Sequence, residues 1–383
     1  MAAEPVRAGE PAHYTQLVDI LRQRIATGNL AIGDQLPTEL ALAQQHQISR
    51  GTVRQAMSVL LHEGLIERVQ GRGTFVREQQ SAVSSAPERR IGLVLNRPSQ
   101  LDLDILIGVE QAARSRGYRF TFTYTDERAE QLAPNIERMR ADQVAGIIIC
   151  LANDVASDET IRRLTVSGMP LVLVDRYLAN LETDYVTADN ATGGYRATEH
   201  LLLVGQQRVG FVYTNVGTLQ TTSVYDRWVG YRRALEHYGV PFDESLVFCC
   251  PYTRIPQAEP PAELIAFLAR PERPAAIFAI HDQLALHILQ AARQIGLHVP
   301  NDLAVIGFDN LSYAEHLNPP LTTVAQPRME IGLRAGHLLI DRIEGQTGSA
   351  QHIELFTSLI VRESCGARRH VQRLHELAAP LPT

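Results

Sequence analysis

The 383-residue chain contains no lysine: all 36 of its basic residues are arginine. That absence removes chemistry outright. There is no lysine for a phosphate-binding loop and none for a Schiff base with pyridoxal phosphate or a carbonyl substrate. Cysteine is scarce. Cys150, Cys249, Cys250 and Cys365 form no C-x-x-C pair, so neither a disulfide framework nor a zinc cluster is indicated. No run of about 18 apolar residues is present, which excludes a membrane-spanning helix of ordinary length. Met1 to Glu10 lack the charged-then-apolar pattern of an export signal, so the expected compartment is the reducing cytoplasm. No G-x-G-x-x-G follows an apolar strand, and neither H-E-x-x-H nor G-x-S-x-G occurs. No cofactor, metal or catalytic set is therefore expected, and the chain reads as a non-enzyme.

What is present is enough for two or three domains, with 45% hydrophobic and 20% charged residues. Charge divides unevenly. Residues 1–77 carry eight Arg against seven Asp and Glu, whereas residues 78–383 carry 28 against 35. A slightly basic head on an acidic body is a weak pointer to nucleic acid at one end. Residues 78–89 are rich in Gln, Ser and Ala and read as a flexible linker. The expected layout is a head at 12–77, this linker, a body at 90–363 and a tail at 364–383.

Three helices are predicted in the head. Leu17, Ile20, Leu21 and Ile25 follow the helical period, and Gly28 ends that helix. Thr38 is placed to cap a second helix carrying Leu40, Leu42 and Ala43. Ser49 caps a third over residues 50–63, with Val53, Met57, Leu60 and Leu61 as its buried stripe and Gly64 as its stop. Two short strands follow around the turn Gln70-Gly71-Arg72-Gly73, where glycine supplies unusual backbone angles. The pattern is a helix-turn-helix with a β-wing. Arg50, Thr52, Arg54 and Gln55 lie on the first turns of the third helix, away from its apolar stripe. That is the part of a recognition helix that reaches base edges, and an Arg fork fits guanine O6 and N7. Arg72 tips the wing between Gly71 and Gly73, where it can enter a narrow minor groove. An isolated pair of exposed arginines would ordinarily be solubilising. The capped helix, the tight turn before it and the Arg-tipped hairpin after it favour DNA. Thr38 and Ser49 add hydroxyls at helix starts for phosphate.

This head resembles the gluconate-repressor (GntR) superfamily of bacterial regulators. Tyr14, Leu36-Pro37-Thr38-Glu39, Ser49-Arg50-Gly51-Thr52-Val53-Arg54-Gln55-Ala56, Glu63-Gly64-Leu65-Ile66 and Gly71-Arg72-Gly73-Thr74-Phe75-Val76 carry the likeness in order. It implies a winged-helix head in which Arg50 and Arg54 contact bases and the wing touches the minor groove or backbone.

From Arg90 apolar strands alternate with helices: 91–95, 119–124, 146–150 and 171–174, then again 208–212, 276–279 and 303–307. Such continuous strands belong to parallel sheets covered on both faces. The expected fold class is α/β, as two successive lobes with a cleft between them. Asp175, His281 and Asp309 directly follow strands, Tyr252 follows the apolar stretch 246–250, and Arg227 is read as opening a helix. Ligands of open α/β sheets bind at such strand ends. Carboxylates and an Arg fork suit a hydroxyl-rich ligand, and an aromatic face suits a sugar ring. For any one of these residues, a helix cap or an ion pair is an equally good explanation.

Gly307-Phe308-Asp309-Asn310, Pro319-Pro320-Leu321-Thr322-Thr323-Val324 with Gln326, His281-Asp282-Gln283-Leu284-Ala285 and Arg227 with Gly230-Tyr231 resemble the effector domain of the lactose/galactose-repressor family. That domain is itself similar to periplasmic sugar-binding proteins. The likeness implies a sugar-like effector held by Asp175, Arg227, Tyr252, His281 and Asp309. The family usually has Asn where His281 stands, and the linker lacks the family's apolar hinge helix. The combination of head and body resembles arabinose-repressor-type regulators. The expectation is a homodimeric repressor of double-stranded operator DNA, released or recruited by a small carbohydrate effector. Replacing Arg227 or Asp309 by Ala is expected to abolish the ligand response and spare operator binding. The rival is a sugar-modifying α/β enzyme with a nucleic-acid-binding appendage.

Overall fold

A computed structural model describes residues 13–27, 29–31, 33–62, 65–69, 72–76, 89–151, 156–214, 221–251 and 259–367. The chain divides into two compact units, 1–87 and 88–383. Gly28, Gly64, Gly71, Tyr252, most of the expected linker and the tail beyond Ala367 lie outside the described residues.

In the first unit, α1 (His13–Ala26), α2 (Glu39–Gln45) and α3 (Arg50–His62) precede β1 (Ile66–Val69) and β2 (Gly73–Val76). Leu17, Val18, Leu21, Leu42, Val53, Ala56, Met57, Leu60, Ile66 and Val76 form one core. Ile20 and Leu40, both expected inside, are 40% and 50% exposed. On α1 the neighbouring Val18 takes the inward place. On α2, only seven residues long, Leu42 and Ala43 face the core. The hairpin gains a third edge: Leu36 N–H donates to Thr74 O at 2.8 Å and Val76 N–H to Asp34 O at 2.9 Å.

Among its described residues the second unit holds two six-stranded sheets. The first has the order β13-β7-β6-β5-β3-β4 and the second β14-β12-β11-β10-β8-β9. Their strands are β3 (Arg90–Leu95), β4 (Arg119–Tyr124), β5 (Ile147–Cys150), β6 (Leu171–Val174), β7 (Asp184–Ala188), β8 (Val209–Thr214), β9 (Val247–Cys250), β10 (Ala276–Ala279), β11 (Ala304–Asp309), β12 (Thr322–Ala325), β13 (His352–Leu355) and β14 (Ser358–Ile360). All pairings are parallel except β12 with β14. Continuous apolar runs are buried because both faces are covered. In the first sheet Leu93, Ile148 and Val172 join the cluster containing Val109, Ile331 and Leu339. Val94, Ile149 and Leu173 join Ile136 and Leu164 in the other.

The lobes are not simply successive. After β12 the chain forms α11 (Arg328–Ile343), whose Ile331, Ala335 and Leu339 pack into the first lobe. β13 then pairs with β7 of the first sheet, and β14 returns to the second. Among the described residues the chain therefore passes between lobes after β7, after β12 and after β13. Helix pairs brace each lobe through close backbone contact. A Cβ on Gly332 would collide with the carbonyl of Ile105 on α4 (Gln100–Ser115). In the second lobe α7 (Asn190–Leu203) lies against α8 (Thr222–His237). A Cβ on Gly194 would strike the carbonyl of Arg227, and one on Gly230 the carbonyl of Ala191. Gly230→Ala is expected to destabilise the body by about 1–3 kcal/mol, the usual cost of overpacking. Urea unfolding followed by the fluorescence of Trp228, the sole tryptophan, reads this directly. An unchanged midpoint would show that the two helices can separate freely.

Candidate functional site

The head's candidate DNA-contacting residues lie at the starts of α2 and α3 and on the wing. Ser49 Oγ accepts from Thr52 N–H at 3.1 Å and pairs with Thr52 Oγ1 at 2.8 Å, which fixes the start of α3. Arg50, Arg54 and Gln55 project from the following turns and are exposed, and Thr52 is half-buried. Thr38 caps α2 by accepting from Ala41 N–H at 3.2 Å. That uses a lone pair and leaves its hydroxyl proton available to a phosphate oxygen. Arg72 is exposed at the wing, and its N–H donates to Val69 O at 3.0 Å. Gly73 has φ +123°, and a Cβ there would meet the Gln35 amide, which itself donates to Arg72 O at 2.8 Å. Both features require glycine at this position.

In the body, side chains from the two sheets meet. Asp175 directly follows β6 of the first sheet, and Asp309 ends β11 of the second. Both have positive φ, +68° and +108°. Non-glycine residues in that region are strained, and such strain gathers where function positions a side chain. Arg328, at the start of α11, joins them: its Nη2 lies 2.9 Å from Asp175 Oδ1 and 3.9 Å from Asp309 Oδ1. Arg176 Nε lies 3.3 Å from Asp175 Oδ2. Gln326 donates to Asp309 Oδ1 at 2.5 Å.

Arg227 sits in the second turn of α8, which begins at Thr222 rather than at Arg227 as expected. It is buried. Nη1 donates to Ile280 O at 2.6 Å, Nε to Asn190 Oδ1 at 2.9 Å, and Nη2 is 3.9 Å from Asp309 Oδ1. Its guanidinium carbon lies 3.7 Å from the centre of the Phe308 ring, a cation–π contact. The α7–α8 glycine contacts described above hold its backbone in place.

His281 has a different role from the aspartates. Its Nδ1 accepts from Leu284 N–H at 3.0 Å and caps α10 (Asp282–Gln294). Burial, with Arg227 and Arg97 nearby, pushes its pKa down to about 3, so the ring is neutral near pH 7. With Nδ1 an acceptor, Nε2 carries the proton and is a donor. Beside it Asp282 is buried, accepting from Thr323 Oγ1 at 2.5 Å and Leu311 N–H at 2.8 Å.

The two aspartates also differ from each other. Burial pushes the Asp175 carboxyl up, but Arg328, Arg176 and Arg227 outweigh it and hold the pKa below the ordinary carboxylate value. Burial wins at Asp309 and raises its pKa, because Arg227 and Arg328 stand 3.9 Å away. Arg227 itself is lowered to about 10 by burial despite Asp309 and Asp175. The result is a buried set of carboxylate acceptors and guanidinium donors drawn from both lobes, chemistry that suits a ligand with several hydroxyls.

Asp175, Arg227 and Asp309 of the sequence reading are thus brought together, with His281 at the neighbouring strand end. Tyr252 and Gly71 lie outside the described residues. Arg328, Arg176 and Asn190 were missed. Arg328 follows Gln326-Pro327 just beyond β12, so the same strand-end argument reaches it. Its pairing with Asp175, 153 positions away in the chain, is tertiary. Among the described residues no cluster of three metal-ligating side chains occurs.

Residues 13–76 match the model of bacterial regulatory proteins of the gntR family, and residues 198–365 that of a periplasmic binding protein-like domain. The chain is 31% identical over 339 residues to the arabinose metabolism transcriptional repressor of Geobacillus stearothermophilus, covering 86% of this chain and 91% of that protein. Among solved structures it is similar to the complex of transcriptional regulator CelR with cellobiose (26% identity, TM-score 0.62, 86% of this chain and all of that one). It is also similar to a LacI family regulator from Enterococcus faecium with bound ribose (26% identity, TM-score 0.60, 72% and 98%). The chain joins a gntR-type DNA-binding head to a periplasmic-binding-protein-like body and belongs to the family of transcriptional repressors that includes the arabinose metabolism repressors.

Proposed function

We propose that this repressor binds a two-fold operator as a homodimer in the cytoplasm, where the chromosome is, and that a small sugar bound between the lobes of the body sets its operator affinity. The observation that carries the effector site is the meeting of Asp175, Asp309, Arg227 and Arg328 at the ends of strands from both sheets. A ligand satisfying both aspartates would tie one lobe to the other, so binding has a direct hold on lobe geometry. The likeness to solved regulators bound to cellobiose and to ribose supports a carbohydrate as the effector. The division into head (12–77), linker (78–89), body (90–363) and tail (364–383) goes with this reading. The chain is not an enzyme in it: the buried aspartates are engaged by arginines, which suits binding better than proton transfer. Linkage requires that operator change effector affinity by the same factor as effector changes operator affinity.

A thermal-shift panel of pentoses, hexoses, sugar acids and nucleosides tests it. A ligand at 100 times its Kd adds about 2.7 kcal/mol, and a panel in which nothing shifts the body would count against a sugar effector. On the head, Arg50→Ala and Arg54→Ala are each expected to cost about 1–3 kcal/mol on the operator and relax preference at one base pair. Arg72→Ala should weaken all sequences more evenly. Equal losses on operator and random DNA for the α3 variants would remove the base contacts from the proposal.

A further inference from the structure

Glu39 is an acidic residue on the face that must meet DNA. It opens α2, beside the Thr38 cap, where a carboxylate also complements the helix dipole. Its two oxygens are both engaged. Oε1 lies 2.6 Å from Arg68 Nη2, on the first strand of the wing, and Oε2 lies 3.5 Å from Arg54 Nε, on α3. The arginine side chains are 68% (Arg54) and 52% (Arg68) exposed, whereas that of Glu39 is 24% exposed. One half-buried carboxylate thus collects two exposed cations from different elements, the recognition helix and the wing.

As a stabilising ion pair this is worth little, since exposed pairs are screened and entropically costly. As part of a DNA-binding face it has a definite cost, because a carboxylate repels the phosphates that supply most of the affinity. What it supplies in return is direction. A free Arg side chain reaches any nearby phosphate, but one drawn to a carboxylate on its Nε side, as Arg54 is at 3.5 Å, has both terminal nitrogens left for the fork at a base edge. We propose that Glu39 is a positioning residue for operator discrimination, holding Arg54 for base reading and Arg68 beside the wing at the expense of general affinity. The proposal rests on the reading of Arg54 as a base-contacting residue.

The test uses the full-length chain, a duplex that the wild-type protein enriches from a random library, and a scrambled duplex of equal length. Glu39→Gln keeps the shape and one acceptor but removes the charge. It is expected to bind the scrambled duplex about three- to tenfold more tightly and to lower the enriched-over-scrambled ratio about tenfold. It should also steepen the slope of log K against log salt by about one, as freed arginine reaches phosphate. In an Arg54→Ala background the same substitution should no longer lower the ratio. A structural role alone would instead lower Tm and weaken both duplexes in proportion. An unchanged ratio in Glu39→Gln, with Arg54→Ala still lowering it, overturns the positioning role. An unchanged ratio in Arg54→Ala itself overturns the underlying reading of α3.

Discussion

Asp309→Asn is expected to weaken effector binding by about 100-fold or more while leaving operator affinity without effector within about twofold. Hydrogen bonds to a charged group contribute about 1.5–3 kcal/mol each. An aspartate gripping two sugar hydroxyls therefore accounts for at least two factors of ten, at about 1.4 kcal/mol per factor. The unliganded body should tolerate the change. Burial already disfavours the charge on Asp309, and the Gln326 amide can still donate to the remaining carbonyl oxygen. Isothermal titration with the sugar that stabilises the wild type, beside a gel shift on the operator, decides it. Wild-type sugar affinity would return Asp309 to a purely structural ion-pair role.

Arg227→Ala is expected to do more than silence the effector response, and here the structure revises the sequence-based expectation that operator binding would be spared. Its guanidinium holds the Ile280 carbonyl, Asn190 at the first crossing between lobes, and the face of Phe308, with Asp309 alongside. Removing it leaves the Ile280 and Asn190 oxygens without this donor and takes from Asp309 one of its two cationic neighbours, Arg328 remaining. Each buried acceptor left unsatisfied costs about 1–3 kcal/mol. The urea midpoint of the body should fall accordingly, and repression in cells should fail through loss of folded protein. Trp228, the next residue, packs on Phe211 with ring centroids 5.2 Å apart and reports that unfolding. Arg227→Lys should recover part of the stability and little of the sugar affinity, since a point charge cannot serve both Ile280 and Asn190 in the plane of the fork. A full-stability Arg227→Ala protein would mean that the body repacks around the gap.

The head was legible because its signals are local. Caps at Thr38 and Ser49, the Val53/Met57/Leu60 stripe and the glycine beside Arg72 each act within a few residues, and the structure uses them as read. Ile20 and Leu40 were misplaced because helical spacing admits more than one register, and the packing partner chooses between them. The α/β character of the body was equally legible from β3, β5, β6 and β10, which are apolar at nearly every position, whereas β7 and β12, buried but carrying Asp184, Thr187, Thr322 and Thr323, were not read as strands. Partner choice between distant strands was not. Nothing local in His352–Leu355 says that it pairs with Asp184–Ala188, or that α11 packs into the first lobe before the chain returns to the second. The aspartates at the strand ends could be named from sequence because the fold rule places ligands there. Which cations meet them depended on those crossings. Arg328 reaches both Asp175 and Asp309 because β12 delivers the chain to the boundary between the sheets and α11 carries it across. The sequence alone determined which chemistry is available at each end of this protein; the tertiary structure decided which charges share a site, because Coulomb and hydrogen-bond energies depend on distance in space and not along the chain.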